Sequence, residues 1–223
     1  MIENILHPRL IESKDWATLL FVLSFASIAV TKSVFENRFA DFARLAFSDK
    51  YTKVYRDSSH LRSGFTISLF FVQVISFAFF IQLSLSYFGH ASKTDWVLYI
   101  QIVTFLIFFI LSKYLIEKII ATAFNMEEFV EQFNLQKVAY RTYIGLFILP
   151  INIILFYYDS ISKNIPLLMI FIIVAINIIT YFISIKNYQN LIFGKLFYFI
   201  LYLCALEIAP YYFMYFWFTR GGA

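Results

Sequence analysis

The chain is poor in charge, in cysteine and in histidine, and each shortage closes off a class of protein. Only 14% of its 223 residues are charged, against about a quarter in an ordinary soluble domain. The single cysteine, Cys204, leaves no internal disulfide and no thiolate metal site. His7, His60 and His90 stand singly, at or beyond the ends of apolar runs. That argues against a paired-imidazole haem or zinc site inside a membrane. No glycine-rich phosphate loop is present, and no serine or cysteine nucleophile stands near a plausible base. Nothing in the sequence asks for a cofactor or a metal.

What is abundant is apolar and aromatic. Hydrophobic residues make up 61% of the chain, with 29 Phe and 16 Tyr, and apolar runs of about 20 residues recur, each long enough to cross a bilayer as a helix. The runs predict an all-α, polytopic transmembrane helical bundle of about six spans: 16–34, 65–88, 96–114, 143–158, 167–185 and 196–217. The residues before Trp16 mix Glu3, Glu12 and Asp15 with Arg9 and Lys14, and no cleavage motif follows, so the first span is expected to be retained. The chain reads as a single integral-membrane domain with no soluble module.

Two further segments have helical periodicity with one apolar face. In 35–56, Phe35, Phe39, Phe42 and Phe47 fall on one side, and Arg38, Arg44, Lys50, Lys53 and Arg56 make it strongly basic. It suits a helix lying in the interface against anionic headgroups, or one packed on neighbouring spans. In 125–138, Asn125 and Glu128 have capping-box spacing, and Met126, Phe129, Val130 and Phe133 form a face opposite Glu127, Glu131 and Gln132. This polar face is acidic, so packing on protein is expected there. The Glu127-Glu128 pair superficially resembles the opening of an intramembrane CAAX-type protease motif, but Gln132 stands where that motif has arginine, and no histidine completes a site.

Basic residues sit between the apolar runs instead of forming a stripe, which excludes a nucleic-acid footprint and makes them topology signals. Thirteen flank the first, third and fifth connections and five the opposite side. The positive-inside rule then puts both termini in the periplasm and both amphipathic segments in the cytoplasm.

The last span carries one carboxylate, Glu207, about halfway along, followed by Pro210. Such a group is costly at that depth, and a dry site favours its protonated form. Asn152 and Asn177 fall near the middle of their spans, with Gln73 somewhat toward the cytoplasmic side. The four form a candidate intramembrane polar site, with Glu207 expected inside the bundle beside one or more of the amides. The alternative is that the amides hold helices together across interfaces. Pro210 and Pro150 each free the carbonyl four residues back, that of Leu206 and of Leu146, and mark expected kinks.

Leu203-Cys204-Ala205-Leu206-Glu207 with Pro210 resembles the C-terminal signature of a Bacteroidota integral-membrane family classed as a domain of unknown function. Trp16 with Lys32 and Arg38-Phe39 fits its opening, Gln73 its second span and Leu149-Pro150 its fourth. The resemblance spans nearly the whole chain and implies a bacterial inner-membrane protein, with Glu207 and Pro210 as hallmark residues. It supplies no substrate or reaction.

The functional expectation is a small, non-enzymatic inner-membrane component of an envelope assembly or protein-export complex. Its contacts would be membrane lipids and a membrane-protein partner, or a second copy of itself. The alternative is a proton-coupled transporter using Glu207. A lipid- or quinone-modifying enzyme is less favoured, because no second catalytic residue stands near Glu207.

Overall fold

In the computed structural model, residues 14–45, 50–55, 63–89, 91–123, 125, 127–158 and 164–187 are described. Their regular structure is entirely helical: α1 (Asp15–Val34), α2 (Glu36–Ala43), α3 (Lys50–Val54), α4 (Gly64–Tyr87), α5 (Trp96–Ala123), α6 (Glu127–Tyr157) and α7 (Asn164–Asn187). Among the described residues, four helices are long and apolar enough to cross a membrane: α1, α4, α5 and the Val130–Tyr157 stretch of α6. A shorter apolar stretch, Leu167–Thr180, lies in α7. The expected span 196–217, with Glu207 and Pro210, lies outside the described residues.

Two expectations change. Residues 125–138 and 143–158 do not form separate elements, because α6 runs unbroken for 31 residues and carries Pro150 in its interior. No glycine or proline stands between Glu127 and Tyr143 to stop it, and membrane helices accommodate an isolated proline when neighbours satisfy the freed groups. Asn125 stands between α5 and α6, two residues before Glu127. Its φ of 52° is left-handed, and its N–H donates to the Thr122 carbonyl at 3.3 Å, so it turns the chain just after α5. Asparagine tolerates that conformation better than most residues. The third span is also longer than expected, since α5 continues nine residues past 114, to Ala123.

Contacts fix the helix directions. Gln73 meets Thr142, Ser76 meets Gly145 and Tyr87 meets Leu155, so α4 and α6 run parallel. Helix α1 runs against both, with Trp16 and Phe21 beside Phe79 and Phe156 and Phe35 at the other end beside Phe65. The Trp16 end also holds the α4–α5 turn, where Gln82 Nε2 donates to the carbonyls of Ser92 and Asp95. Asp95 accepts from the N–H groups of Val97 and Leu98 and so caps α5, as its position before Trp96 suggests. The opposite end gathers α2, α3, the start of α4 and the α5–α6 turn.

The main core lies between α1, α4, α5 and α6. Phe79 is fully buried, stacked on Phe21 at 4.3 Å between ring centres, with Tyr99 at 4.5 Å and Phe156 edge-on at 5.9 Å. Aromatic pairs of this kind add about 0.5–1.5 kcal/mol each beyond area burial. Facing outward are Leu19, Val22 and Val30 of α1 and Phe105, Phe108 and Leu115 of α5. In water such faces would be insoluble. In lipid they are the ordinary exterior of a membrane protein.

Candidate functional site

The α4–α6 interface contains a ladder of polar groups. Helix α4 contributes Gln73 and Ser76, one turn apart on one face. Helix α6 contributes Thr142, Gly145 and Asn152, at spacings of three and seven that keep them on one stripe. Gly145 permits the close approach. A methyl group there would lie 3.2 Å from both Gln73 Cα and Cγ.

At that separation side chains reach across directly. The Thr142 hydroxyl donates to Gln73 Oε1 at 2.8 Å. One turn on, the Ser76 hydroxyl donates to the Gly145 carbonyl at 2.7 Å. Asn152 Nδ2 donates to the Ser76 carbonyl, also at 2.7 Å. Gln73, Ser76 and Asn152 are at most 1% exposed. Asn152 Oδ1 is buried with no hydrogen-bond partner among the described residues. Ser76 is near the middle of α4, so the Asn152 contact lies about halfway along that helix.

Of the four expected polar residues, the structure thus brings Gln73 and Asn152 into one interface. Asn177 is elsewhere, exposed on α7, with Nδ2 bonded to the carbonyl of Ile173 in its own helix at 2.8 Å. Glu207 and Pro210 lie outside the described residues. The sequence reading did not single out Ser76, Thr142 or Gly145 as interface residues. Their roles depend on the register between two helices.

A second layer lies at the far end from Trp16. Arg38 of α2 is 8% exposed, and its guanidinium donates to Ser63 Oγ at 2.6 Å, Thr66 Oγ1 at 3.2 Å and the Tyr51 hydroxyl at 3.3 Å. Its carbon lies 4.5 Å from the centre of the Phe65 ring and 5.0 Å from that of Tyr55. Because Ser63 is also the N-cap of α4, this arginine joins α2 and α3 to the first turn of α4. Burial pushes the Tyr51 phenol above its ordinary value, and the neighbouring Arg38 only partly opposes the rise. Nearby, Lys137 of α6 pairs with Glu117 of α5 at 3.0 Å, and both side chains are largely buried. Lys113 of α5 is buried as well.

Chemically, the mid-depth ladder offers amides, hydroxyls and backbone carbonyls, groups that hold helices together. Arg38, Glu117 and Lys137 lie in the end layer, where they join one element to another. Among the described residues, no group of three or more His, Cys, Asp or Glu is placed to hold a metal ion.

No curated protein and no solved structure matches the chain. The family described as a domain of unknown function (DUF4271) matches residues 17–218, nearly the whole chain. This multi-pass, helical membrane protein belongs to that family.

Proposed function

We propose that the protein is a non-enzymatic inner-membrane component of an envelope assembly or export complex. Its docking surface would be the end formed by α2, α3 and the α5–α6 turn. With both termini in the periplasm, as the basic residues indicate, that end faces the cytoplasm. The supporting observation is how far α6 projects. Below the Gln73–Thr142 contact, α4 has nine residues left and α6 has fifteen. At ~1.5 Å per residue, α6 extends ~9 Å past the start of α4. The Glu117–Lys137 pair braces the α5–α6 hairpin at the base of this projection, where Ile116 and Ile119 of α5 are exposed. A braced helical projection beyond the start of α4 suits binding to another protein. The ladder favours this reading over a carrier, because Gln73 and Asn152 already join α4 to α6.

Affinity purification in mild detergent tests the proposal. The wild-type chain is expected to retain a stoichiometric partner, and Ile119→Glu to lose it while the monomer keeps its thermal stability. Recovery of clean, partner-free wild-type protein across several detergents and lipid nanodiscs would overturn it.

A further inference from the structure

Helix α5 turns an amide outward. Gln101 stands five residues past Trp96, ~7.5 Å along the helix at 1.5 Å per residue, and it is exposed. Thr104, one turn further on, is exposed too. Among the described residues, neither side chain makes a hydrogen bond. The rest of this face is apolar, with Val97, Phe108, Leu111 and Leu115 all exposed. An amide and a hydroxyl turned toward hydrocarbon call for partners on another helix.

Positions 97, 101, 104, 108, 111 and 115 recur at intervals of four and three, the repeat by which two helices interlock their side chains. The helix that fits must present a hydrogen-bonding group at the level of Gln101 and an apolar stripe beyond it. A second copy of this chain does both. Basic residues between the apolar runs give every copy the same orientation in the bilayer. A twofold axis along the membrane normal therefore sets α5 beside α5, parallel and in register. Position 101 then meets 101, and 104 meets 104. A carboxamide carries both donor and acceptor, and so does a hydroxyl, so each satisfies its own copy. The other amides are poorer candidates. Gln73 and Asn152 are engaged inside the α4–α6 interface, and Asn177 bonds back to its own helix.

We infer that α5 is a self-association face, on which two copies of the chain pair in the membrane with Gln101 hydrogen bonded to the partner's Gln101. One polar position in an otherwise apolar stripe fixes the register of such a pair. The contact lies in the apolar length of α5, toward its Trp96 end and away from the α5–α6 hairpin. It needs no other protein, so it goes beyond the docking reading and stands or falls separately from it.

Disulfide trapping in membranes tests the geometry, with the native cysteine removed as Cys204→Ser. Oxidation of Thr104→Cys is expected to give a covalent dimer. Val22→Cys is the control. Trp16 packs beside Tyr99, so position 22 of α1 lies at a depth similar to 104, and Val22 is exposed as well. It should remain monomeric. The second readout is association of the purified full-length chain, diluted in vesicles of phosphatidylethanolamine and phosphatidylglycerol with no other protein present. Wild type should dimerise reversibly, and Gln101→Leu should weaken the dimer by about three- to twentyfold, the range for a hydrogen bond between membrane helices. Gln101 faces outward, so this change leaves the packed interior intact. A chain that stays monomeric at every dilution, a Val22→Cys dimer without one at Thr104→Cys, or Gln101→Leu associating as tightly as wild type would each overturn the inference. Crosslinking of Thr104→Cys to a different protein alone would give the face to that partner and overturn it too.

Discussion

Gly145 of α6 lies directly over Gln73 of α4, so close that a single added methyl would sit 3.2 Å from the Gln73 backbone. This approach allows the Ser76 hydroxyl to reach the Gly145 carbonyl and Thr142 to reach the Gln73 side chain. In lipid there is no hydrophobic force between helices, so packing at this distance and the hydrogen bonds it permits are what hold α4 to α6.

Gly145→Ala sets two effects against each other. Alanine favours the helix by about 1 kcal/mol over glycine. Overpacking a close contact costs about 1–3 kcal/mol, and the atom opposed here is backbone, which cannot swing aside. The clash should win. The expected outcome is a lower melting temperature in detergent for Gly145→Ala and little folded protein for Gly145→Leu, measured by thermal unfolding and size exclusion.

The rungs should be weaker one by one. Gln73→Leu, Thr142→Val and Asn152→Leu are each expected to lose about 0.6–2 kcal/mol, the range for hydrogen bonds between membrane helices. A double-mutant cycle on Gln73 and Thr142 should give a coupling of about 0.5–1 kcal/mol, as expected for residues in direct contact. Asn152 and Thr142, ten residues apart with no shared partner, should be additive. Reversible unfolding in mixed micelles measures all of these.

How much of this was legible in the sequence depended on range. The first two spans, expected at 16–34 and 65–88, become α1 at Asp15–Val34 and α4 at Gly64–Tyr87, because hydropathy is a local property. Gln73 and Asn152 stood out because an amide in an apolar run must find a partner. Ser76 and Thr142 did not, since a hydroxyl can satisfy itself on its own helix, as Ser24 does on the Leu20 carbonyl. The capping-box spacing of Asn125 and Glu128 correctly marked a helix start near Glu127, but the next apolar run was read as a separate helix. The basic residues between apolar runs, Lys113 and Lys137 among them, were read as topology signals. That Lys137 meets Glu117 follows from how the α5–α6 hairpin closes, which is not a local property.

Removing one member of the Glu117–Lys137 pair should do more harm than removing both. A lone charge left in a buried site costs about 3–5 kcal/mol, whereas replacing both partners with apolar residues of similar size is often neutral. Glu117→Leu and Lys137→Met should therefore each destabilise the α5–α6 hairpin, and the double variant should recover most of the loss. Hydrogen exchange of the amides around Ala121 and Val130 reads this locally. If the double variant is as damaged as the worse single one, the pair acts through further contacts.

The Arg38–Tyr51 contact makes an alkaline prediction. Folding raises the Tyr51 phenol above its ordinary value of about 10, so the folded state holds this proton more tightly than the unfolded chain. Stability from the neutral phenol is therefore complete below about pH 10 and is lost as pH rises through the raised value. Tyr51→Phe removes both the titration and the 3.3 Å bond from Arg38. It should be less stable than wild type at pH 8, by about 1.5–3 kcal/mol for a hydrogen bond to a charged group. That deficit should shrink as pH rises beyond 10, because only the wild-type chain continues to lose stability from this group. Arg38→Lys, which keeps the charge but not the planar fork that reaches Ser63, Thr66 and Tyr51 together, should show a deficit at pH 8 without such narrowing. Thermal unfolding from pH 8 to 11 measures all three, and parallel curves for wild type and Tyr51→Phe would mean that the phenol is not held neutral by the fold.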